Sequence, residues 1–130
     1  GTRGDIAPFA AMGVKLKAAF GYRVRLATHE CFRGFVLEHG LEFFPLAGDP
    51  VKLSEFMVRS KGLLIPTSRE LIADVPGNYA MTVDIMRSCW DACVAMEPGP
   101  DDAGLVPFIA DSIISNPVSY GHVHCAEALG

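Results

Sequence analysis

The sequence predicts an α/β fold, a parallel sheet with helices on both faces, and three observations predict it. Two apolar patterns of helical period, each closed by a glycine, alternate with short runs of strand-forming residues; the turns between them are only a few residues long; and the chain has room for one core and no more. Strand, helix, glycine, strand in this rhythm is the pattern of right-handed βαβ units that stack parallel strands. About four strands are expected in the full domain, with a ligand crevice outside their carboxyl ends.

Gly1 to Asp5 reads as a glycine-bearing loop with no strand before it, so a first strand is expected to lie outside these residues. Pro8 then opens a helix, at a position where its missing N–H costs little. From Phe9 the apolar residues Met12, Leu16, Ala19 and Phe20 recur at helical spacing until Gly21, which suits the position just past a helix end. Tyr22 to Thr28 is rich in strand formers, and Phe32, Phe35, Val36 and His39 make a second helical pattern that stops at Gly40. Leu41 to Leu46 makes the next strand. Gly48-Asp49-Pro50 is a turn, and Val51 to Arg59 predicts a short helix with Leu53, Phe56 and Met57 on one side, followed by the apolar Leu63-Leu64-Ile65. A longer helix is expected from Tyr79 to Met96, with Val83, Met86, Trp90 and Cys93 along one core stripe. Pro98-Gly99-Pro100 breaks it. Ile113 and Ile114 fit a short buried strand ending at Asn116-Pro117, and a last helix starts near Gly121 and runs to Gly130.

Composition narrows the function classes. At 130 residues and 50% hydrophobic, residues 1–130 form one domain, expected to be cut at both ends. No apolar run approaches the roughly 18 residues of a membrane span, and the eleven Lys and Arg are dispersed in a chain of net charge -4, which gives no footprint for nucleic acid. The four cysteines lack C-x-x-C spacing and sit in helical patterns, as reduced buried thiols do, so a cytoplasmic setting is expected.

The chemistry-bearing residues gather in two loops at the carboxyl edge, Gly1 to Asp5 and Asn116 to His122. Glycines let backbone approach a ligand closely, and Asp5, before a helix N-terminus, offers a carboxylate placed to accept a proton. On the residues alone, capping that helix is the simpler role for Asp5. The first loop lacks G-x-G-x-x-G spacing and G-K-[ST], which disfavours NAD and ATP. His122, His124 and Cys125 do not make a zinc site, because His122 and His124 face different sides of a helix and no second ligand pair is evident. His122 is a polar contact to substrate or a structural histidine.

The stretches Gly1-Thr2-Arg3-Gly4-Asp5-Ile6-Ala7-Pro8-Phe9, Arg23 to His29, Gly40 to Pro50, Pro107 to Asp111 and Asn116 to Leu129 resemble the N-terminal domain of family 28 glycosyltransferases, and within them the sterol 3-beta-glucosyltransferase type. The likeness covers essentially the whole chain. It implies the Rossmann-like N-terminal half of a GT-B enzyme, a hexosyltransferase whose other half, absent here, takes most of the nucleotide sugar. It implies UDP-glucose as donor substrate, a sterol or similar lipophilic alcohol as acceptor, no metal or other cofactor, and inversion at the anomeric carbon. Asp5 matches the general base; Thr2, Arg3 and Gly4 match residues near the reacting groups, with His122 and His124 as further substrate contacts. Ala7, where Gln or Glu is common, and Phe20-Gly21-Tyr22, where Gly-His is usual, depart from the pattern and spare the base. The apolar segment of Phe56, Met57, Leu63, Leu64 and Ile65 would wall a greasy pocket or touch a membrane surface, or is ordinary core. An aglycone glycosyltransferase of secondary metabolism and a non-catalytic module that binds lipophilic ligands are the rival readings.

Overall fold

The structure, a computed structural model, describes residues 3–49, 51–52, 55, 58, 75–98, 105–116 and 121–130. Helix α1 is Arg3–Phe20, strand β1 Arg25–Thr28, a 3-10 turn Glu30–Phe32, helix α2 Arg33–Glu38 and strand β2 Glu42–Pro45. Helix α3 is Val75–Val94, strands β3 and β4 are Glu97–Pro98 and Leu105–Val106, and helix α4 is Gly121–Leu129. β1 and β2 pair in parallel, with Leu26 opposite Phe43, while β3 and β4 form a separate antiparallel pair.

Alternation along the two parallel strands sorts their side chains onto two faces. On one face Leu41 and Phe43, flanked by Val24 and Leu26, pack with Ala10 of α1 and Val36 of α2 to form the core. On the other face Arg25 reaches the carboxyl end of α3, where its Nη1 donates to the carbonyls of Ala92 (3.1 Å) and Ala95 (2.9 Å). Its guanidinium lies 3.9 Å from the centroid of the Phe108 ring and 3.4 Å from the Glu42 carboxylate, and its side chain is only 2% exposed. Helices therefore cover both faces, as expected of this α/β fold. A cation against the last carbonyls of a helix also complements the helix dipole. Arg23, which pairs with Glu42 as well, donates to the Pro107 carbonyl (2.6 Å) and holds the segment after β4 against β1.

The glycine expected to end the second helix does so. Gly40, at φ +68°, donates to Leu37, and Leu41 donates to Val36, the two bonds of a Schellman cap. Leu41 and Val36 are both core residues, so the cap also turns the chain into β2 with its apolar face correctly set.

Three expectations are corrected. Residues 3 to 5 are helical rather than a loop, and Pro8 lies inside α1 instead of opening it; Asp5 in the first turn interacts favourably with the helix N-terminus, which offsets part of the cost of the proline. Ile113 and Ile114 form no strand. Ile114 is 57% exposed, and Ser115 spends its hydroxyl on the neighbouring Asn116 carbonyl, a local bond that competes with a ladder. Among the described residues the strands make two separate pairs, of which β1–β2 is parallel as expected. The stripe on α3 is not all core either: Trp90 is 39% exposed, whereas Ser88, Ala92 and Cys93 are buried. Val51, Lys52, Glu55 and Val58 are helical, in line with the short helix expected there. Phe56, Met57, Leu63, Leu64 and Ile65 lie outside the described residues.

Candidate functional site

The parallel ladder continues one step past β1, because the Thr28 carbonyl accepts from the Leu46 N–H (2.9 Å). Beyond it, residues 47–49 are fastened to α3. The Ala47 N–H donates to Ser88 Oγ (3.0 Å), which in turn donates to the Ile85 carbonyl (2.8 Å). Gly48 has φ +91°, and a Cβ there would lie 2.8 Å from Ile85 Cδ1. Asp49 accepts from the N–H groups of Val51 (2.9 Å) and Lys52 (3.4 Å), capping the helical residues that follow. Gly48→Ala is expected to cost about 1–3 kcal/mol, since strain and overpacking act together. Chemical denaturation measures it; a neutral substitution would mean that the loop is not held on α3.

Helix α1 brings Asp5 to this same edge. Arg3, two residues before it, stacks its guanidinium 5.2 Å from the centroid of Phe35, in the first turn of α2. Because α2 starts just beyond the carboxyl end of β1, the first turn of α1 lies there too. Asp5 and Gly4 are exposed in that turn, and Thr2 lies outside the described residues.

Helix α4 begins on the α3 side of the edge. A Cβ on Gly121 would sit 3.1 Å from Cys89 Sγ, so only a residue without a side chain lets the two helices approach this closely. Cys89 follows Ser88, which holds the β2 loop, so the start of α4 meets α3 at the level along that helix where the loop is fastened, and His122, the next residue, is half-buried. His124 points elsewhere: it is exposed, with Nδ1 3.7 Å from Glu127 on its own helix. The structure thus sets the turn bearing Asp5 by the start of α2, the start of α4 against α3, and His124 apart on the helix surface.

Behind α4 the thiols are chemically quiet. Burial, reinforced by Cys125 and Cys89, pushes Cys93 up to about 11, and burial with Cys125 raises Cys89. Only about one Cys93 in a thousand is then thiolate at pH 8. Iodoacetamide is expected to alkylate exposed Cys31 first and Cys93 far more slowly, which peptide mass mapping would follow. Equal rates would mean that α4 undocks readily. Among the described residues no group of three His, Cys, Asp or Glu side chains is placed to hold a metal ion.

One residue at the edge escaped the sequence reading. His29 follows the last residue of β1, is half-buried, and its Nδ1 is buried with no hydrogen-bond partner among the described residues. Burial lowers its pKa and so favours the neutral ring at neutral pH, while the nearby Asp49 carboxylate pulls the other way. Its position one residue past a strand, at the crevice side of a parallel sheet, was the available signal.

The profile described as glycosyltransferase family 28 N-terminal domain matches residues 1–130. Two sterol 3-beta-glucosyltransferases of Arabidopsis thaliana, UGT80A2 and UGT80B1, are 48% and 47% identical to this chain over 129 and 130 residues, 99% and 100% of it. A sterol 3-beta-glucosyltransferase of Saccharomyces cerevisiae is 31% identical over 130 residues, 99% of the chain. The chain spans 19%, 20% and 9% of the lengths of these three relatives.

Proposed function

Since this chain belongs to the glycosyltransferase family 28 N-terminal domain family, we propose that it is the acceptor-binding domain of a UDP-glucose-dependent, inverting glucosyltransferase that acts on the hydroxyl of a sterol or similar lipid. The observation that carries this reading is the placement of the Asp5 turn at the carboxyl edge of the parallel pair, in a chain nearly half identical to sterol 3-beta-glucosyltransferases. In the proposed reaction the acceptor oxygen forms a bond to the anomeric carbon on the face opposite the leaving group. The bond from that carbon to the UDP oxygen breaks, UDP departs with the electron pair, and the hydroxyl proton passes to Asp5. Arg3, stacked on Phe35, steadies the turn that carries the base. Thr2, Gly4 and His122 are proposed to line the acceptor and donor approach, whereas His124 lies apart from it on the helix surface. The nucleotide sugar is held mainly by a downstream domain, so the 130 residues alone are expected to transfer nothing. No helix among the described residues is long and apolar enough to cross a membrane, and the proposed setting is cytoplasmic, with peripheral contact where the lipid acceptor resides.

The test joins the chain to its natural downstream sequence and offers UDP-glucose with cholesterol, sitosterol and a set of polyphenolic aglycones. Glucosylated sterol is the expected product. Transfer to the aglycones alone would replace the lipid reading with that of a secondary-metabolite enzyme, and sterol binding without any transfer would leave a non-catalytic module.

A further inference from the structure

Among the described residues around the end of β1, three polar side chains are committed within the protein. Glu30 is bonded to Arg33 through both carboxylate oxygens, Asp49 caps the helical residues after it, and Ser88 holds Ala47. His29 occupies the N-cap position of the 3-10 turn, yet it makes no side-chain capping bond; its backbone carbonyl alone accepts from Phe32 (3.0 Å). Its Nδ1 is buried and finds no partner among the described residues. Leaving such an atom unpaired costs free energy that a bound group of suitable chemistry would recover. A ring at the crevice edge of a parallel sheet is where such a group would arrive.

A neutral imidazole offers one donor and one lone pair, and a hydroxyl, which can both give and take a hydrogen, satisfies Nδ1 in either tautomer. A phosphate oxygen only accepts and is better met by a cation, which burial of this ring opposes. We propose that His29 is an acceptor-binding residue whose Nδ1 hydrogen-bonds the hydroxyl of the acceptor alcohol. This rests on the glucosyltransferase reading above and adds to it a group that reads the presence of the hydroxyl.

The test is equilibrium binding to the full-length chain, without UDP-glucose, of radiolabelled cholesterol and of its 3-deoxy analogue, 5-cholestene. The unsubstituted protein is expected to hold cholesterol about tenfold more tightly, the worth of one hydrogen bond to an otherwise unpaired buried group. His29→Leu should remove most of the preference for cholesterol, leaving only what Asp5 contributes, and leave the deoxy analogue within about twofold; His29→Asn, which keeps a donor and an acceptor, should retain a larger part of the preference. Unfolding midpoints report whether each variant is folded. If His29→Leu weakens both ligands equally, the ring only packs, and if the preference survives, a water satisfies Nδ1; either result overturns the proposal. A raised KM for UDP-glucose with unchanged cholesterol binding would move the contact to a hydroxyl of the donor, and overturns it too. An unsubstituted protein that binds and glucosylates no sterol would instead sink the functional reading on which the proposal stands.

Discussion

Asp5→Asn in the full-length enzyme is expected to lower kcat by about 10²–10⁴-fold, the usual contribution of a positioned general base, with acceptor KM changed only a few-fold. The carboxamide is close to the carboxylate in size but has no basic oxygen with which to take the proton. Asp5 is exposed in the first turn of α1, where its helix-end interaction is worth about 0.3–1 kcal/mol. A large loss of turnover with a nearly unchanged unfolding midpoint would therefore report chemistry rather than folding. Retention of most of the activity would remove Asp5 from the mechanism, and a loss that tracks a lowered midpoint would assign it the capping role instead.

A stability effect of comparable size is expected at Arg25. Replacing it by Ala should destabilise the fold by about 3–5 kcal/mol, the range seen when one partner of a buried charged network is removed. The reason is local. Glu42 and the carbonyls of Ala92 and Ala95 all bond the Arg25 guanidinium, and Phe108 loses the planar group stacked on it. Arg25→Lys keeps the charge yet cannot stack or reach several acceptors as a fork, so it should recover less than half of the loss. Urea denaturation monitored through Trp90 would measure both variants. An Arg25→Ala protein within 1 kcal/mol of the parent, roughly the value of an exposed ion pair, would show that the network contributes little.

The parts of the fold legible in the sequence are those in which one local signal suffices. The helical spacing from Phe9 to Phe20, the positive-φ glycines that close the first two helices, Gly21 and Gly40, and the strand formers on either side of the second helix translate directly into α1, β1, α2 and β2. What was not legible depends on contacts distant in sequence. Arg25 reads as an outward residue between apolar neighbours, and only the arrival of α3 and Phe108 on the second face makes its position an interior one. Ile113 and Ile114 have the residue types of a strand, but a strand is completed by a partner ladder, which no run of residues announces by itself. The exposure of Trp90 likewise follows from which side of α3 meets the sheet, a choice set by Ser88 and Ala92.

The candidate site divides in the same way. The turn bearing Asp5 could be placed at the carboxyl edge from the order of elements, because parallel topology fixes which helix ends share a side. Whether residues 3 to 5 are loop or helix was beyond that logic, since glycine before an acidic residue permits both. His29 was hidden for a different reason: a histidine after a strand is unremarkable until its surroundings are seen to leave a ring nitrogen unanswered.

Ser88 and Cys89 are consecutive on α3, one gripping the loop after β2 and the other abutted by the start of α4. Both attachments ride on one helix, so a displacement of α3 carries the loop after β2 and the start of α4 together rather than one at a time.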